Sequence, residues 1–192
     1  MANANAPFGL KPIRGAFSQP YNDGAQPYAK AAADTAVVRY GDPVVVTGAE
    51  TAEGVPIVTL ATAGSTNAIT GIAVGFRPLG VSEWLGYAPA STLYEVLVTD
   101  NPDGEYLIQE DSDGGALAAG STGLNAAIVF GAATGNQSAA MLDSSTAATT
   151  AGLQVRILGL AQIPGNAIGN YAVWRVRLNN VTTTPNAAST GA

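Results

Sequence analysis

The sequence predicts an all-β protein, a β-sandwich or jelly-roll-like β-barrel with an extended N-terminal arm. Three observations point there. Twenty-three Gly and eleven Pro are spread through 192 residues and interrupt the chain often. The apolar share comes largely from Ala and Val, and no long apolar stripe recurs at helical spacing. Between the breaks lie short runs of β-branched and aromatic residues, which is how strands bounded by turns read.

The most strand-like stretch is residues 93–111, LYEVLVTDNPDGEYLIQED. Pro102 presets φ for a type I corner, Asn101 can bond the backbone ahead of it, and Gly104 can take the left-handed conformation of a G1 bulge. The spacing predicts a hairpin with Asn101 opposite Glu105, Asp100 opposite Tyr106 and Val98 opposite Ile108. A four-residue turn would instead oppose Asp100 to Glu105, a disfavoured like-charge pair. Apolar residues fall on both faces, Val96, Val98 and Ile108 on one and Leu97 and Leu107 on the other. Both faces are therefore expected to be covered, by the same domain or by another subunit.

The chain divides into an arm (1–34), a β-domain (35–180) and a flexible C-terminal tail (181–192). The arm carries Pro7, Pro12, Pro20 and Pro27, isolated aromatics at Phe8, Phe17, Tyr21 and Tyr28, and both lysines, Lys11 and Lys30. Ordering ~25 such residues costs on the order of 25 to 50 kcal/mol of backbone freedom, so the arm needs a surface to lie on, its own subunit's or a neighbour's. Strands are expected at AVVRY and VVVTG on either side of Gly41-Asp42-Pro43, then at 55–60, 69–76, 126–130, 153–163 and 171–178. In the last, Trp174, Val176 and Leu178 share one face and Arg175 and Arg177 the other. Residues 136–151 read as a loop or one to two helical turns. Trp84 and Tyr87, in a Gly/Pro-rich connection, are expected to form a lid over the core.

With eight basic residues against fourteen acidic ones, the net charge is −6. Nucleic acid is an unsuitable partner, since phosphate contacts need a basic stripe. Without Cys or His, the chain has no disulfide, no Cys/His zinc site, no thiol nucleophile and no histidine-based triad. No cofactor is implied. No run approaches the ~20 apolar residues of a membrane helix, and the opening lacks the pattern of a secretory signal. Nine acids and no base fall between Arg77 and Arg156. That segregation suits head-to-tail neighbours, and equally a solvated acidic face. Within Glu110-Asp111-Ser112-Asp113-Gly114-Gly115, Asp111 and Asp113 open like a calcium loop, but counted from Asp111 it lacks the third acidic or amide ligand, the glycine at the sixth position and the Glu at the twelfth, so it reads as an acidic turn. Glu95 and Glu110 offer a pair of carboxylates of glycosidase type, an arrangement any acidic hairpin produces by chance. No phosphate-cradling glycine motif occurs. The chain is expected not to be an enzyme.

Several segments resemble the head decoration, or cement, proteins of tailed bacteriophages: Met1-Ala2-Asn3-Ala4-Asn5-Ala6-Pro7-Phe8-Gly9-Leu10 with Pro12 and Arg14, Tyr40-Gly41-Asp42-Pro43-Val44, Arg156-Ile157-Leu158-Gly159-Leu160 and Trp174-Arg175-Val176-Arg177. The resemblance covers both ends and one early strand. It implies a β-rich virion structural protein, made in the host cytoplasm, that binds the major capsid protein on the outside of an assembled shell and reinforces its seams. Self-association as a homotrimer is favoured, with a homodimer as the other option. Phe8, Lys11 and Arg14 are the candidate partner-binding residues. The alternative is a carbohydrate-binding β-domain of a tail fibre or cell surface, with Trp84 and Tyr87 as a stacking platform.

Overall fold

The structure is a computed structural model that describes residues 3–15, 19–22, 24–80, 83–133 and 135–183. The described chain is almost entirely β. It contains strands β1 (Lys11–Arg14), β2 (Gln26–Lys30), β3 (Pro43–Glu50), β4 (Pro56–Leu60), β5 (Gly71–Pro78), β6 (Tyr94–Thr99), β7 (Glu105–Gln109), β8 (Asn125–Ala126), β9 (Ile128–Phe130), β10 (Ala140–Leu142), β11 (Val155–Leu160) and β12 (Val173–Leu178). Strands β2-β4-β3-β5-β6 close a barrel, β1-β7-β12-β11-β8 form an open sheet, and β9 pairs with β10. Residues 136–151 hold β10 and a single 3-10 turn, Ser144–Thr146, with Asp143 bonding the Ser145 amide.

Two clusters of buried side chains follow this division. Val44, Val58, Ala73, Phe76, Tyr94, Val96 and Val98 fill the barrel. The second cluster takes the inner face of the open sheet, including Tyr106, Ile108, Val155, Ile157, Trp174, Val176 and Leu178, and extends to Ile69 and Ile72 at one end of the barrel. The alternation read in β12 is therefore real: Trp174, Val176 and Leu178 point inward and Arg175 and Arg177 outward.

The central hairpin is not formed. Residues 100–104 do turn, with Asp103 N donating to Asn101 Oδ1 (2.9 Å) and Gly104 N to Asn101 O (3.0 Å). The two arms then part into different sheets. β6 lies between β2 and β5, with Val98 opposite Gln26 and Ala73; β7 lies between β1 and β12, with Ile108 opposite Trp174. Both edges of each arm are taken by other strands, so neither has a free edge for its neighbour in sequence. Gly104 is not in the left-handed region, and the G1 bulge is absent. One face of each arm is buried, whereas Leu97 and Leu107 on the other remain half-exposed.

The predicted arm is built into the body. Its two described strands go to different sheets, β1 to β7 and β2 to β6 and β4, the last pairing parallel. Leu10 is fully buried in the larger core. The leader ahead of it is held by Asn3 Nδ2 donating to Ala167 O and Asn170 O, and by Gln109, which takes the Ala6 amide (2.9 Å) and donates to Ala4 O (2.7 Å). Of the two surfaces open to it, its own subunit supplies these contacts. Phe17 lies outside the described residues. The predicted loose tail begins with an ordered step, since Val181 is buried and Thr182 N donates to Ile69 O (3.0 Å). Residues 184–192 lie outside the described ones. The 36–40 run forms no strand of its own; Val38 and Tyr40 make isolated bridges to Ala88 and Gln137.

Candidate interaction face

Strand pairing fixes which side chains share the outer face of the open sheet. In register across β1, β7, β12 and β11 stand Lys11, Leu107, Arg175 and Gly159; two residues along, Arg14, Glu105, Arg177 and Arg156. The row between them, Pro12, Tyr106, Val176 and Ile157, points into the core. Because side chains alternate along a strand, burying this middle row turns the flanking residues of β7 and β12 outward, and register shifts between Pro12 and Arg14 in β1 and between Ile157 and Gly159 in β11 bring Arg14 and Gly159 into the same outer rows. Five of the chain's eight basic residues meet there. β1 is an edge strand, which is why Pro12, without a donor N–H, is tolerated in it.

The cations are only partly neutralised. Glu105 Oε2 lies 4.0 Å from both Arg14 Nη1 and Arg175 Nη1, and Asp103 Oδ1 lies 3.4 Å from Arg177 Nη1. Among the described residues, Lys11, Arg14, Arg175 and Arg177 stand on the face against these two acids, an excess of two positive charges. Away from this face, the described residues carry three basic and eleven acidic groups. Arg14, Arg175 and Arg177 keep 45%, 36% and 42% of their side-chain surface in solvent, although Nε of Arg175 and Nε of Arg177 are buried.

At the Lys11 end the face dips into a groove of about 480 Å³ lined by Phe8, Lys11, Tyr40, Leu107, Gln137 and Ile163. Its wall is made where the leader crosses the turn before β3. Leu10 N donates to Gly41 O (2.9 Å), Gln137 Nε2 donates to Phe8 O (2.7 Å) and Ser138 N donates to Tyr40 O (2.9 Å). Gly9 (φ +74°) and Gly41 (φ +87°) pass so closely that a Cβ on Gly9 would run into Gly41 O and Ser138, and one on Gly41 into Phe8 O. Asp42 caps the crossing by accepting from Arg39 N (2.7 Å); burial pushes its carboxyl above the ordinary range, opposed by the Ser138 hydroxyl.

Of the sequence-predicted residues, Phe8 and Lys11 share the groove, and Arg14 stands one outward row away. Sequence reasoning missed Tyr40, Leu107, Gln137 and Ile163. The outward alternation of Arg175 and Arg177 was the one legible signal that β12 shows a basic side, but not that β1 and β11 add to it.

Other candidates fare differently. Trp84 is 75% exposed and lids nothing; Tyr87 is half-buried, and Ala88 is the residue of that connection that enters the barrel core. Glu95 pairs with Arg77 on the barrel, while Glu110 is fully buried against Trp174, so these two carboxylates are engaged separately. Asp111, Asp113 and Asp143 bring carboxylate oxygens within 4.8 Å of one another, with Asp111 Oδ1 already accepting from Ser144 N and Oγ. Against the barrel flank, Tyr28, Val55, Ile57, Leu79 and Leu93 line an apolar groove of about 530 Å³. Among the described residues no helix is long and apolar enough to cross a membrane.

The fold and this face define an all-β protein with a basic outer sheet face beside an apolar groove. In comparisons, no family model, no curated protein and no solved structure matches the chain.

Proposed function

We propose that this chain is a decoration protein of a tailed-phage head, a virion structural protein that binds the outside of the assembled capsid and stabilises it. The observation that carries the reading is the meeting of two segments on which the family resemblance rests. Pro7-Phe8-Gly9-Leu10 and Tyr40-Gly41-Asp42-Pro43 cross at the Gly9/Gly41 contact, and Phe8 and Tyr40 line one groove. The late segments, 156–160 and 174–177, contribute Arg156, Arg175 and Arg177 to the sheet face beside it. A mixed apolar and charged face on a rigid sheet suits attachment to a protein surface. On a shell that repeats its surface many times, several modest footholds per oligomer, a homotrimer or homodimer, add up to firm attachment.

Co-sedimentation of the purified protein with expanded capsids of its own phage tests this. Saturable binding with a fixed stoichiometry is expected; absence of binding overturns the reading. Truncation of residues 1–20 is unsuitable as a control, because it removes β1 and the buried Leu10 along with the leader. A second reading, a carbohydrate-binding domain, is favoured by the exposed Trp84. It expects glycan-array binding that is lost in Trp84→Ala.

A further inference from the structure

We infer that the outer face of the open sheet is a docking site for an acidic protein segment that carries an apolar anchor residue. The inference deepens the proposed function and rests on it for the setting, but the recognition chemistry comes from the face itself.

The first argument is charge complementarity. Lys11, Arg14, Arg156, Arg175 and Arg177 gather on one face of a chain whose remaining charges are strongly negative. That polarity steers an acidic partner to this side and repels it from the others. The contacts to Glu105 are long, at 4.0 Å, and the partly exposed Arg14 and Arg175 side chains can take further carboxylates.

The second argument is shape. The cations lie in rows that run across the strands, and the row through Lys11 and Leu107 leads into the groove of about 480 Å³ at Phe8, Tyr40 and Ile163. Ile163 is 42% exposed, an apolar rim left open to solvent. One apolar side chain in that groove fixes the register, and acidic residues following it meet Arg175, Arg14 and Arg177.

The third argument separates a protein partner from a nucleic acid. Glu105 stands inside the arginine row and Asp103 beside it, where a continuous line of phosphates would meet two fixed negative charges. A protein segment mixes residue types and avoids both.

The test uses fluorescence anisotropy with the full chain and a labelled peptide in which one phenylalanine is followed by glutamates alternating with serines. The same peptide without phenylalanine, a hexalysine peptide and a single-stranded oligonucleotide serve as comparisons. Binding of the first peptide is expected, weakening about tenfold or more between low and high salt. It should weaken further without phenylalanine, and by about tenfold in Lys11→Glu and in Arg14→Glu. Both sites are exposed strand positions, and unchanged circular dichroism verifies the fold; if Arg14→Glu fails to fold, Lys11→Glu carries the test. Equal binding by the variants, no binding by the wild type, or oligonucleotide binding as tight as peptide binding and lost in the same variants overturns the inference. The same proteins sedimented with capsids separate the two readings. Wild-type capsid binding that both variants retain overturns the docking face and leaves the decoration role standing. Peptide binding lost in the variants, with no capsid binding by the wild type, keeps the face and removes the decoration role.

Discussion

Trp174 Nε1 donates a 3.0 Å hydrogen bond to Glu110 Oε2, and both side chains are shut off from solvent inside the larger core. The same oxygen accepts from Leu117 N (3.0 Å), and Oε1 accepts from the Ser112 hydroxyl (3.3 Å). One carboxylate thus ties the 110–117 loop to the start of β12. Burial pushes its pKa above the ordinary carboxylate range, against the pull of its donors.

A raised pKa means that the folded state holds the Glu110 proton more tightly than the unfolded chain does. Its contribution to stability is complete below the unfolded carboxyl pKa and declines as pH rises through the folded value. Thermal melts from the acid side toward neutrality should show this decline in the wild type and a flatter profile in Glu110→Gln, which cannot ionise. A slope unchanged by the substitution would sink the assignment.

Glu110→Ala leaves Trp174 Nε1 and the Leu117 amide unpaired in the core and should cost about 2 to 6 kcal/mol, at about 1–3 kcal/mol for each buried group left unsatisfied. Urea denaturation measures it. Trp174→Ala removes the largest buried side chain as well as the donor and should cost about 3–5 kcal/mol.

Gly71 begins β5 close against the end of β6. A Cβ there would collide with the Thr99 carbonyl and the Val98 side chain, although the Gly71 backbone is not in the left-handed region. Gly71→Ala is expected to destabilise by about 1–3 kcal/mol through overpacking alone. Gly48→Ala serves as the contrasting case: a Cβ there meets nothing within 4 Å, so its cost comes from its positive φ (+80°) instead.

Gln109 is the clamp on the leader. Replacing it with Ala removes the acceptor for Ala6 N and the donor to Ala4 O and Tyr171 O. Hydrogen exchange at Ala6 should rise several-fold, with protection in β6 and β12 unchanged, because the leader opens locally before the sheets do. Equal exchange in both proteins would mean that the leader is held elsewhere.

Tyr28 lies under the rim of the barrel with its hydroxyl donating to Asp100 Oδ2 (2.9 Å). Burial, the Asp100 hydrogen bond and the Asp100 charge push its pKa up to about 12. Spectrophotometric titration should therefore show Tyr28 ionising well above the ordinary value together with Tyr106, which burial also raises, and Tyr28→Phe should remove one tyrosine from that high-pH component and cost about 1 kcal/mol.

The all-β class, most strand positions and the two-faced character of β12 were legible because each depends on neighbours in sequence. Alternation places Trp174 and Val176 opposite Arg175 and Arg177 whatever the strand pairs with, and Gly and Pro mark breaks by their own backbone limits. The pairing was not legible. Residues 93–111 carry every local sign of a hairpin, and the turn at 100–104 does form, yet β6 and β7 take partners from as far away as Gln26 and Trp174. The same limit hid the site. Phe8, Lys11 and Arg14 could be picked from their own segment, but Leu107, Tyr40, Gln137 and Ile163 join them only through contacts between distant strands.

By itself, then, the sequence determined that this chain would make short strands, that it would lack thiol and imidazole chemistry, and that β12 would turn two arginines away from the core. Tertiary structure decided that the strands would divide between a closed barrel and an open sheet, and that five scattered cations would share one face. The reason is that alternation is a property of one strand, whereas register is a relation between two. The side of a strand a residue occupies can be counted along the chain, but its neighbours across the sheet depend on which pairings bury both cores at once.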